Sequence, residues 1–197
     1  MGADTLVLDL ETQRLFQEVG GGRNLEALGV SVVGVYSYRA NEYQTFTEPE
    51  MGALESLLSE RPYVVGFNIR RFDMPVLKPY LHFDPSTLPM CDMLEEMHKT
   101  LGHRVSLESV ATATIGSGKS GTGLDAVEFY RRGELEKLKQ YCLDDIRVTR
   151  QVFEYGVEHG EVFYTSKFGP GKGRCPVTWQ RRHPEEDTEA AKQATLF

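Results

Sequence analysis

The sequence predicts an α/β fold whose mixed sheet starts as an antiparallel meander of three strands, continues with parallel strands and is flanked by helices. The first observation is a series of three stretches rich in β-forming residues near the start of the chain. The second is a set of later stretches with apolar residues at helical spacing, interrupted by a short apolar run. Strands followed by alternating strand and helix segments are typical of α/β proteins.

The expected elements follow in order along the chain. Strands are expected at residues 5–10, 28–38, 43–47 and 63–67, and helices at 50–60, 73–80, 93–101, 106–115, 124–132 and 134–155. Pro49 and Pro75 fit the start of a helix, and Ser106 can cap one. A glycine-rich turn between residues 162–166 and 175–179 predicts a β-hairpin.

Composition places the chain among ordinary globular proteins. Its 197 residues are 40% hydrophobic and 26% charged, with a net charge of −7, as expected of one domain with a tail. The acidic average argues against broad nonspecific binding to nucleic acid but leaves room for a local basic groove. Cys91, Cys142 and Cys175 lack metal-binding spacing, which predicts free thiols in a reducing compartment. Without a signal-peptide pattern or a membrane-length apolar run, we expect a cytoplasmic protein.

Two carboxylates interrupt the apolar run of the first strand. Asp9 and Glu11 are two residues apart, so a strand places both side chains on one face. Adjacent carboxylates on a buried strand repel each other and are costly to desolvate unless a cation or protons neutralise them. The pair is therefore a candidate site for Mg²⁺ or Mn²⁺, which favour oxygen ligands. The alternative is an edge strand with a solvated acidic face.

A second carboxylate position follows the strand expected at 63–67. Asp73 ends the stretch Asn68–Asp73 and lies in a loop or first helical turn at a strand end, where sites of α/β proteins collect. The alternative is an aspartate that caps the N-terminus of a helix.

The last long helix carries a charge within its apolar stripe. Tyr141 and Asp145 are four residues apart and share a helical face that is otherwise apolar. An aspartate on a buried face needs a partner. A metal also bound by Asp9 and Glu11 would supply one, and a salt bridge to Arg147 or Arg150 is the alternative.

These three patterns resemble the motifs of the DEDD superfamily of 3′→5′ exonucleases, which has a ribonuclease H-like fold. Asp-x-Glu-Thr at 9–12 resembles the first motif, Asn-x-x-x-Phe-Asp at 68–73 the second, and Tyr-x-x-x-Asp at 141–145 the third in its tyrosine (DEDDy) form. The histidine form would place its histidine at Gln140. Within the superfamily the chain looks similar to bacterial proteins described as predicted exonucleases or polymerase-B-like exonuclease domains.

The resemblance implies phosphodiester hydrolysis with two Mg²⁺ or Mn²⁺ ions and release of 5′-mononucleotides from a 3′ end. It implies that Asp9 bridges both ions, that Glu11 and Asp145 complete the first site, and that Asp73 holds the second ion. By the same resemblance Tyr141 orients the attacking water. Thr12 and Asn68 would contact the terminal nucleotide or order the site. Phe72 would pack beneath Asp73 or stack on a base.

The loop Gly116–Gly123 contains a Gly-x-Gly-x-x-Gly pattern and a Gly-Lys-Ser sequence. A phosphate-binding loop needs a strand before it, whereas a helix is expected here. We therefore expect a loop near the site, with Lys119 as a candidate contact to a substrate phosphate.

The stretch 163–184 has no acidic residue and interleaves basic residues with Phe168 and Trp179. It is either a surface that tracks phosphates and stacks on bases or a solvated hairpin whose tryptophan packs on the core.

The last five residues, 193–197, resemble the bacterial sliding-clamp-binding motif Gln-x-Ser/Asp-Leu-Phe. Gln193 would form hydrogen bonds, and Leu196 and Phe197 would fill an apolar pocket of the clamp. Thr195 and Ala194 depart from the usual residues of the motif.

The expected organisation is a ribonuclease H-like exonuclease domain at 1–160, a basic hairpin extension of that domain at 161–183, and a flexible acidic tail at 184–197. The expected function is a metal-dependent 3′→5′ exonuclease acting on DNA ends, single-stranded ends being favoured, in replication or repair with a sliding clamp. The alternatives are a 3′→5′ exoribonuclease and a catalytically weak nucleic-acid-binding module associated with a clamp or helicase.

Overall fold

A five-stranded mixed sheet forms the centre of the protein. In the computed structural model, which describes residues 4–118, 123–165 and 171–181, the central strand is β1 (Thr5–Thr12). β2 (Val30–Ser37) and β3 (Glu42–Thr47) continue the sheet antiparallel on one side, and β4 (Tyr63–Gly66) and β5 (Met90–Asp92) continue it parallel on the other. The predicted α/β fold with a mixed sheet is confirmed.

Helices cover both faces of this sheet. They are α1 (Met51–Ser59), α2 (Asp73–Leu77), α3 (Met93–Leu101), α4 (Leu107–Ile115), α5 (Gly123–Arg131) and α6 (Leu135–His159). The helix expected at 73–80 is shorter because a 3₁₀ turn takes over at Lys78–Tyr80. α6 runs past its expected end at Tyr155 to His159, and Gly160 ends it with a left-handed backbone conformation (φ 69°). In the described part of the chain, none of the helices combines the length and apolar character that crossing a membrane requires.

The side chains of β1 alternate between two cores. Leu6, Leu8 and Leu10 pack with residues of α1 and α2 on one face of the sheet. Val7 packs with residues of α3, α4 and α6 on the other face. Since side chains two apart share a face, Asp9 and Glu11 lie on the Val7 side, toward α6.

α6 approaches the sheet most closely at Gly34 in β2. Gly34 is paired with Asp9 across the β1–β2 ladder. A Cβ atom on Gly34 would lie 2.8 Å from Sγ of Cys142 and 3.1 Å from Cγ1 of Ile146. The Cys142 thiol is also directed at the carbonyl oxygen of Asp9, at 3.8 Å. A glycine at this position therefore lets the helix lie against the acidic part of β1.

A two-stranded hairpin follows α6. Its strands are β6 (Glu161–Thr165) and β7 (Lys172–Pro176). The second strand was expected at 175–179 and lies three residues earlier. β7 ends at Pro176 because the amide of Val177 donates to the carbonyl of Gly160. The residues that follow then pack on α6.

Two hydroxyl groups of α4 satisfy backbone groups of β6. The Ser109 hydroxyl donates to the Thr165 carbonyl at 3.2 Å and accepts from the Thr165 amide at 2.9 Å. The Thr114 hydroxyl makes the same pair of bonds with Phe163, each at 2.9 Å. The hairpin is thereby joined to α4 along the edge of β6.

The tryptophan after the hairpin belongs to the core. Trp179 is buried and stacks on Phe153 of α6, with ring centroids 6.2 Å apart. It lies so close to Gly156 that a Cβ there would meet the indole ring at 2.3 Å. The core-packing interpretation of Trp179 is therefore correct, and the base-stacking interpretation is wrong. Lys167, Phe168 and Arg182 of the same basic stretch lie outside the described residues.

Replacing Gly34 tests the close approach of α6. We expect Gly34→Ala to lower the free energy of unfolding by about 1–3 kcal/mol, because the added methyl overpacks the contact with Cys142. Gly52→Ala in α1 is the matched control, since nothing lies within 4 Å of a Cβ there. Because alanine is a better helix former than glycine, Gly52→Ala should leave the free energy of unfolding unchanged or raise it by up to about 1 kcal/mol. Denaturant unfolding measures both, and equal effects would contradict the role of Gly34.

Candidate metal-binding site

Three carboxylates converge where β1 meets α6. Oxygen atoms of Asp9, Glu11 and Asp145 all lie within 4.8 Å of one another. Asp9 and Glu11 share a face of β1 as their spacing predicts, and a β-bulge between Glu11 and Thr12 ends the regular ladder there. Such bulges often re-aim side chains beside functional sites.

Both simpler interpretations of these carboxylates are wrong. β1 is the central strand of the sheet and not an edge, and Glu11 is only 9% exposed. The arginines proposed as salt-bridge partners of Asp145 pair elsewhere. Arg147 pairs with Asp144, and Arg150 pairs with Glu154 at 2.9 Å.

The site concentrates negative charge in a region of low polarity. Burial raises the pKa of the Cys142 thiol well above its usual range, and the charges of Asp9, Glu11 and Asp145 raise it further. The same physics acts on Asp73, where burial and then the neighbouring Asp9 raise the pKa of the carboxyl well above its ordinary value. A cation bound at the site would offset this repulsion.

Asp73 lies beside the same stretch of β1. It is the first residue of α2 and is 2% exposed, whereas the N-cap position belongs to Phe72, so the capping interpretation of Asp73 is wrong. Its Oδ1 accepts a hydrogen bond of 3.1 Å from the amide of Leu10, which lies between Asp9 and Glu11 in the chain. Among the described residues Asp73 is not part of the group of three convergent carboxylates.

Asp92 holds the loop that leads to Asp73. Its carboxylate accepts hydrogen bonds from the backbone amides of Asn68 at 2.9 Å, Arg70 at 3.0 Å and Glu95 at 3.1 Å. Asn68 has a left-handed backbone (φ 69°), which asparagine tolerates better than most residues. Sequence reasoning missed Asp92, although its position before the helix expected at 93–101 is that of an N-cap.

A cleft of about 720 Å³ opens above the carboxylates. Of the predicted site residues, its walls contain Asp9, Glu11, Thr12, Asn68, Phe72, Asp73 and Tyr141. Asp145 is fully buried beside Asp9 and Glu11, and Lys119 lies outside the described residues. The cleft also contains Phe16, Arg104 and Leu124, which sequence reasoning missed because their partners are distant in the chain.

Contacts within the protein also fix Thr12, Asn68 and Tyr141 in the walls. The hydroxyl of Thr12 donates to the carbonyl of Arg14 at 2.9 Å. Oδ1 of Asn68 accepts from the guanidinium of Arg104 at 2.7 Å. The ring of Tyr141 packs edge-on against Phe129 at a centroid distance of 6.4 Å.

The donor set fits a hard divalent cation. Within the described ranges, the convergent group consists of carboxylates alone, with neither histidine nor cysteine in it. Oxygen-only ligands suit Mg²⁺ and Mn²⁺ better than the softer transition metals. Asp9, Glu11 and Asp145 would hold such an ion, and Asp73 lies beside them.

A mixed sheet of this order, with acidic residues on its central strand and on the helix packed against it, is typical of the ribonuclease H-like fold. The chain belongs to the RNase_H superfamily, whose family model matches residues 6–157. That range spans all three motifs found in the sequence.

Solved structures of exonuclease I are similar to the chain. Exonuclease I in complex with the inhibitor BCBP has 13% identity and a TM-score of 0.48, covering 81% of this chain and 42% of its own. The exonuclease I structure described as suggesting how processivity is achieved has 14% identity and a TM-score of 0.45, covering 92% and 53%. The zinc-bound E. coli ExoI–ssDNA complex has 13% identity and a TM-score of 0.42, covering 93% and 53%.

The chain thus spans about half, or less, of the length of these exonuclease I structures. No curated protein sequence matches it.

Cation binding can be tested by stability. We expect Mg²⁺ or Mn²⁺ to raise the Tm, because a ligand at a hundredfold excess over its Kd stabilises the native state by about 2.7 kcal/mol. Asp145→Asn should abolish most of this shift. It should also raise the Tm of the metal-free protein, since it removes one of three mutually repelling charges.

Asp144→Asn is the control, because Asp144 is the neighbouring aspartate but bonds to Gln140 and Arg147 instead. Thermal unfolding with and without the cation measures the shift. An equal cation-induced shift in both variants would contradict the assignment of Asp145 as a ligand.

Proposed function

We propose that the chain is a metal-dependent 3′→5′ exonuclease that removes 5′-mononucleotides from DNA 3′ ends. The observation that carries the proposal is the convergence of Asp9, Glu11 and Asp145 within 4.8 Å on a buried strand and helix. Membership of the RNase_H superfamily and the order of the three DEDD-like motifs support it.

The reaction is hydrolysis of the last phosphodiester bond. A water oxygen attacks the phosphorus, the bond from phosphorus to the 3′ oxygen breaks, and that oxygen takes up a proton as the shortened strand leaves. Divalent ions bound at the site supply positive charge that makes water more acidic and offsets the charge of the phosphate. We assign Asp9, Glu11 and Asp145 to one ion and Asp73, together with Asp9, to a second.

Tyr141 is proposed to orient the attacking water. It lies on α6 one helical turn before Asp145, so both side chains share the face that packs toward β1. Its ring is buried and borders the cleft. A hydroxyl fixed there can accept or donate a hydrogen bond to water without leaving the site. Thr12, Asn68 and Phe72 border the same cleft and are proposed to contact the terminal nucleotide directly or to order the site.

The nuclease assay uses the purified protein with Mg²⁺ or Mn²⁺ and end-labelled single-stranded DNA, duplex DNA and RNA. We expect stepwise loss of mononucleotides from the 3′ end of DNA. Asp9→Ala and Asp145→Ala should each lower the rate more than about a hundredfold, because losing groups that merely support metal ligands already costs 10–100-fold. Tyr141→Phe should lower it by about a hundredfold while the cation-induced Tm shift persists.

Asp144→Ala is the control in this assay and should keep the wild-type rate. Near-normal activity of Asp9→Ala or Asp145→Ala would refute the proposal. A preference for RNA would instead identify an exoribonuclease with the same chemistry.

The choice of DNA and of a replication or repair role rests on the C-terminal peptide. Gln193, Leu196 and Phe197 match the bacterial clamp-binding pattern and lie outside the described residues. We propose that this peptide tethers the enzyme to a sliding clamp, which would raise its effective concentration at DNA ends.

Deleting residues 193–197 tests the tether. We expect the full chain to bind a purified bacterial sliding clamp in surface plasmon resonance and the shortened chain to lose that binding, because the Leu-Phe pair supplies its apolar contact. The deletion should leave hydrolysis of short DNA without clamp unchanged. Glu185→Ala/Glu186→Ala is the control for changes elsewhere in the tail. Binding that survives the deletion, or that the full chain never shows, would exclude this role.

A further inference from the structure

The cleft above the carboxylates continues into a second, smaller chamber. This chamber has a volume of about 290 Å³, near the lower end of the range for small-molecule sites. Phe16, Asn68, Phe72 and Arg104 border both spaces, so the chamber opens directly from the cleft. A ligand seated over the carboxylates can therefore extend into it.

An exposed aromatic ring stands where the two spaces meet. Phe16 is 45% exposed and borders both spaces. Its inner side packs against Phe72 at a centroid distance of 5.7 Å and an interplanar angle of 47°. Phe72 is half-buried and packs on the core. Phe72 thus supports one side of the Phe16 ring, and the other side is exposed to the solvent.

Two arginines border the chamber without a carboxylate partner. Most arginine and lysine side chains in the described ranges lie within 4.0 Å of a carboxylate, such as Arg70 with Glu95 and Arg131 with Glu18. Arg71 and Arg104 form no such pair with any residue that the structure describes. Two cations without a carboxylate partner beside one chamber give it a local positive charge, which suits an anionic ligand.

The orientation of Arg104 is fixed by the second motif. Its guanidinium donates to Oδ1 of Asn68 at 2.7 Å. The amide of Asn68 in turn donates to the buried carboxylate of Asp92. This chain of hydrogen bonds holds one donor of Arg104 and leaves its other donors available to a ligand. Asn68 is therefore a positioning residue for Arg104 as well as part of the cleft wall.

We propose that this chamber binds the second nucleotide from the 3′ end of the strand, unpaired. Its base stacks on Phe16, and its phosphate pairs with Arg71 and Arg104. The inference rests on the proposed function, because the terminal nucleotide is assigned to the larger cleft with the carboxylates. Only the nucleotide on its 5′ side then remains to fill the adjoining space. Stacking on an aromatic ring requires a free base face and tolerates any base.

The test measures binding separately from hydrolysis. All proteins carry Asp145→Asn, and isothermal titration calorimetry measures their affinity for 5′-phosphorylated thymidylates of one, two and three nucleotides. We expect a gain of about tenfold from one nucleotide to two, within the range for one stacked base, and a smaller gain from two to three. Phe16→Leu, Arg71→Gln and Arg104→Gln should each erase most of the first gain.

Salt dependence separates the two kinds of contact. Arg71→Gln and Arg104→Gln should each make the slope of log K against log salt for the dinucleotide shallower, because each removes a charge that contacts its phosphate. Phe16→Leu should leave that slope unchanged. Arg39→Gln and Val157→Ala are matched controls, since one is an exposed arginine and the other an exposed apolar residue, and neither borders the cleft or the chamber.

The outcomes distinguish this inference from the proposed function. The subsite is wrong if the second nucleotide adds no affinity, or if affinity rises only with the third nucleotide. It is also wrong if the three variants have the wild-type Tm and keep the gain in affinity from one nucleotide to two. These conclusions hold even where the protein hydrolyses DNA. If the variants lose the gain but the wild-type protein hydrolyses neither DNA nor RNA, the subsite stands and the nuclease proposal fails.

Discussion

The contact between α6 and the sheet at Gly34 is the constraint on which the site depends. Only a residue without a side chain lets the backbone of β2 lie against Cys142 and Ile146. That contact brings Asp145, which lies between these two residues in α6, to the two carboxylates of β1. Three like charges at this distance repel each other, so the packing of the helix has to hold them together against that repulsion. The apolar residues around it supply the stability that the charges oppose.

Asp92 plays a comparable part on the other side of β1. It caps the N-terminus of α3 and accepts hydrogen bonds from three backbone amides, two of them in the loop that precedes Asp73. A carboxylate that accepts several amide hydrogen bonds is rigidly placed. The loop conformation, the left-handed Asn68 and the direction of Arg104 therefore depend on a residue that borders neither the cleft nor the chamber. A substitution of Asp92 would therefore change the cleft by altering the conformation of this loop.

Local spacing predicted much of this arrangement. The two-residue period of a strand places Asp9 and Glu11 together, and the four-residue period of a helix places Tyr141 and Asp145 together, as the structure has them. Both rules act within one element. β5 escaped prediction because three residues between a proline and a helix carry no periodic signal. The pairing of Arg104 with Asn68 spans 36 residues and depends on how the loop turns.

The basic stretch near the end of the chain shows what amino-acid composition alone does not predict. Its composition was compatible with a nucleic-acid surface, yet Trp179 is buried and Arg181 lies over Tyr38 at 4.2 Å. Lys172 donates to the carbonyl of Ala113, at 2.7 Å. Composition does not show whether a basic side chain stabilises the fold or is available to bind a ligand. The partners of each side chain make that distinction, and they point to Arg71 and Arg104 instead.

The hydroxyl groups of Ser109 and Thr114 have a consequence for assembly. An open strand edge offers a row of amide and carbonyl groups to any other extended chain and is a template for aggregation. On β6, α4 already occupies these groups at Phe163 and Thr165. No second strand can add there without detaching α4, the helix that also brings Leu107 and Glu108 to the cleft. Protection from intermolecular pairing and the shape of the binding cleft are therefore properties of one helix, and neither can change without the other.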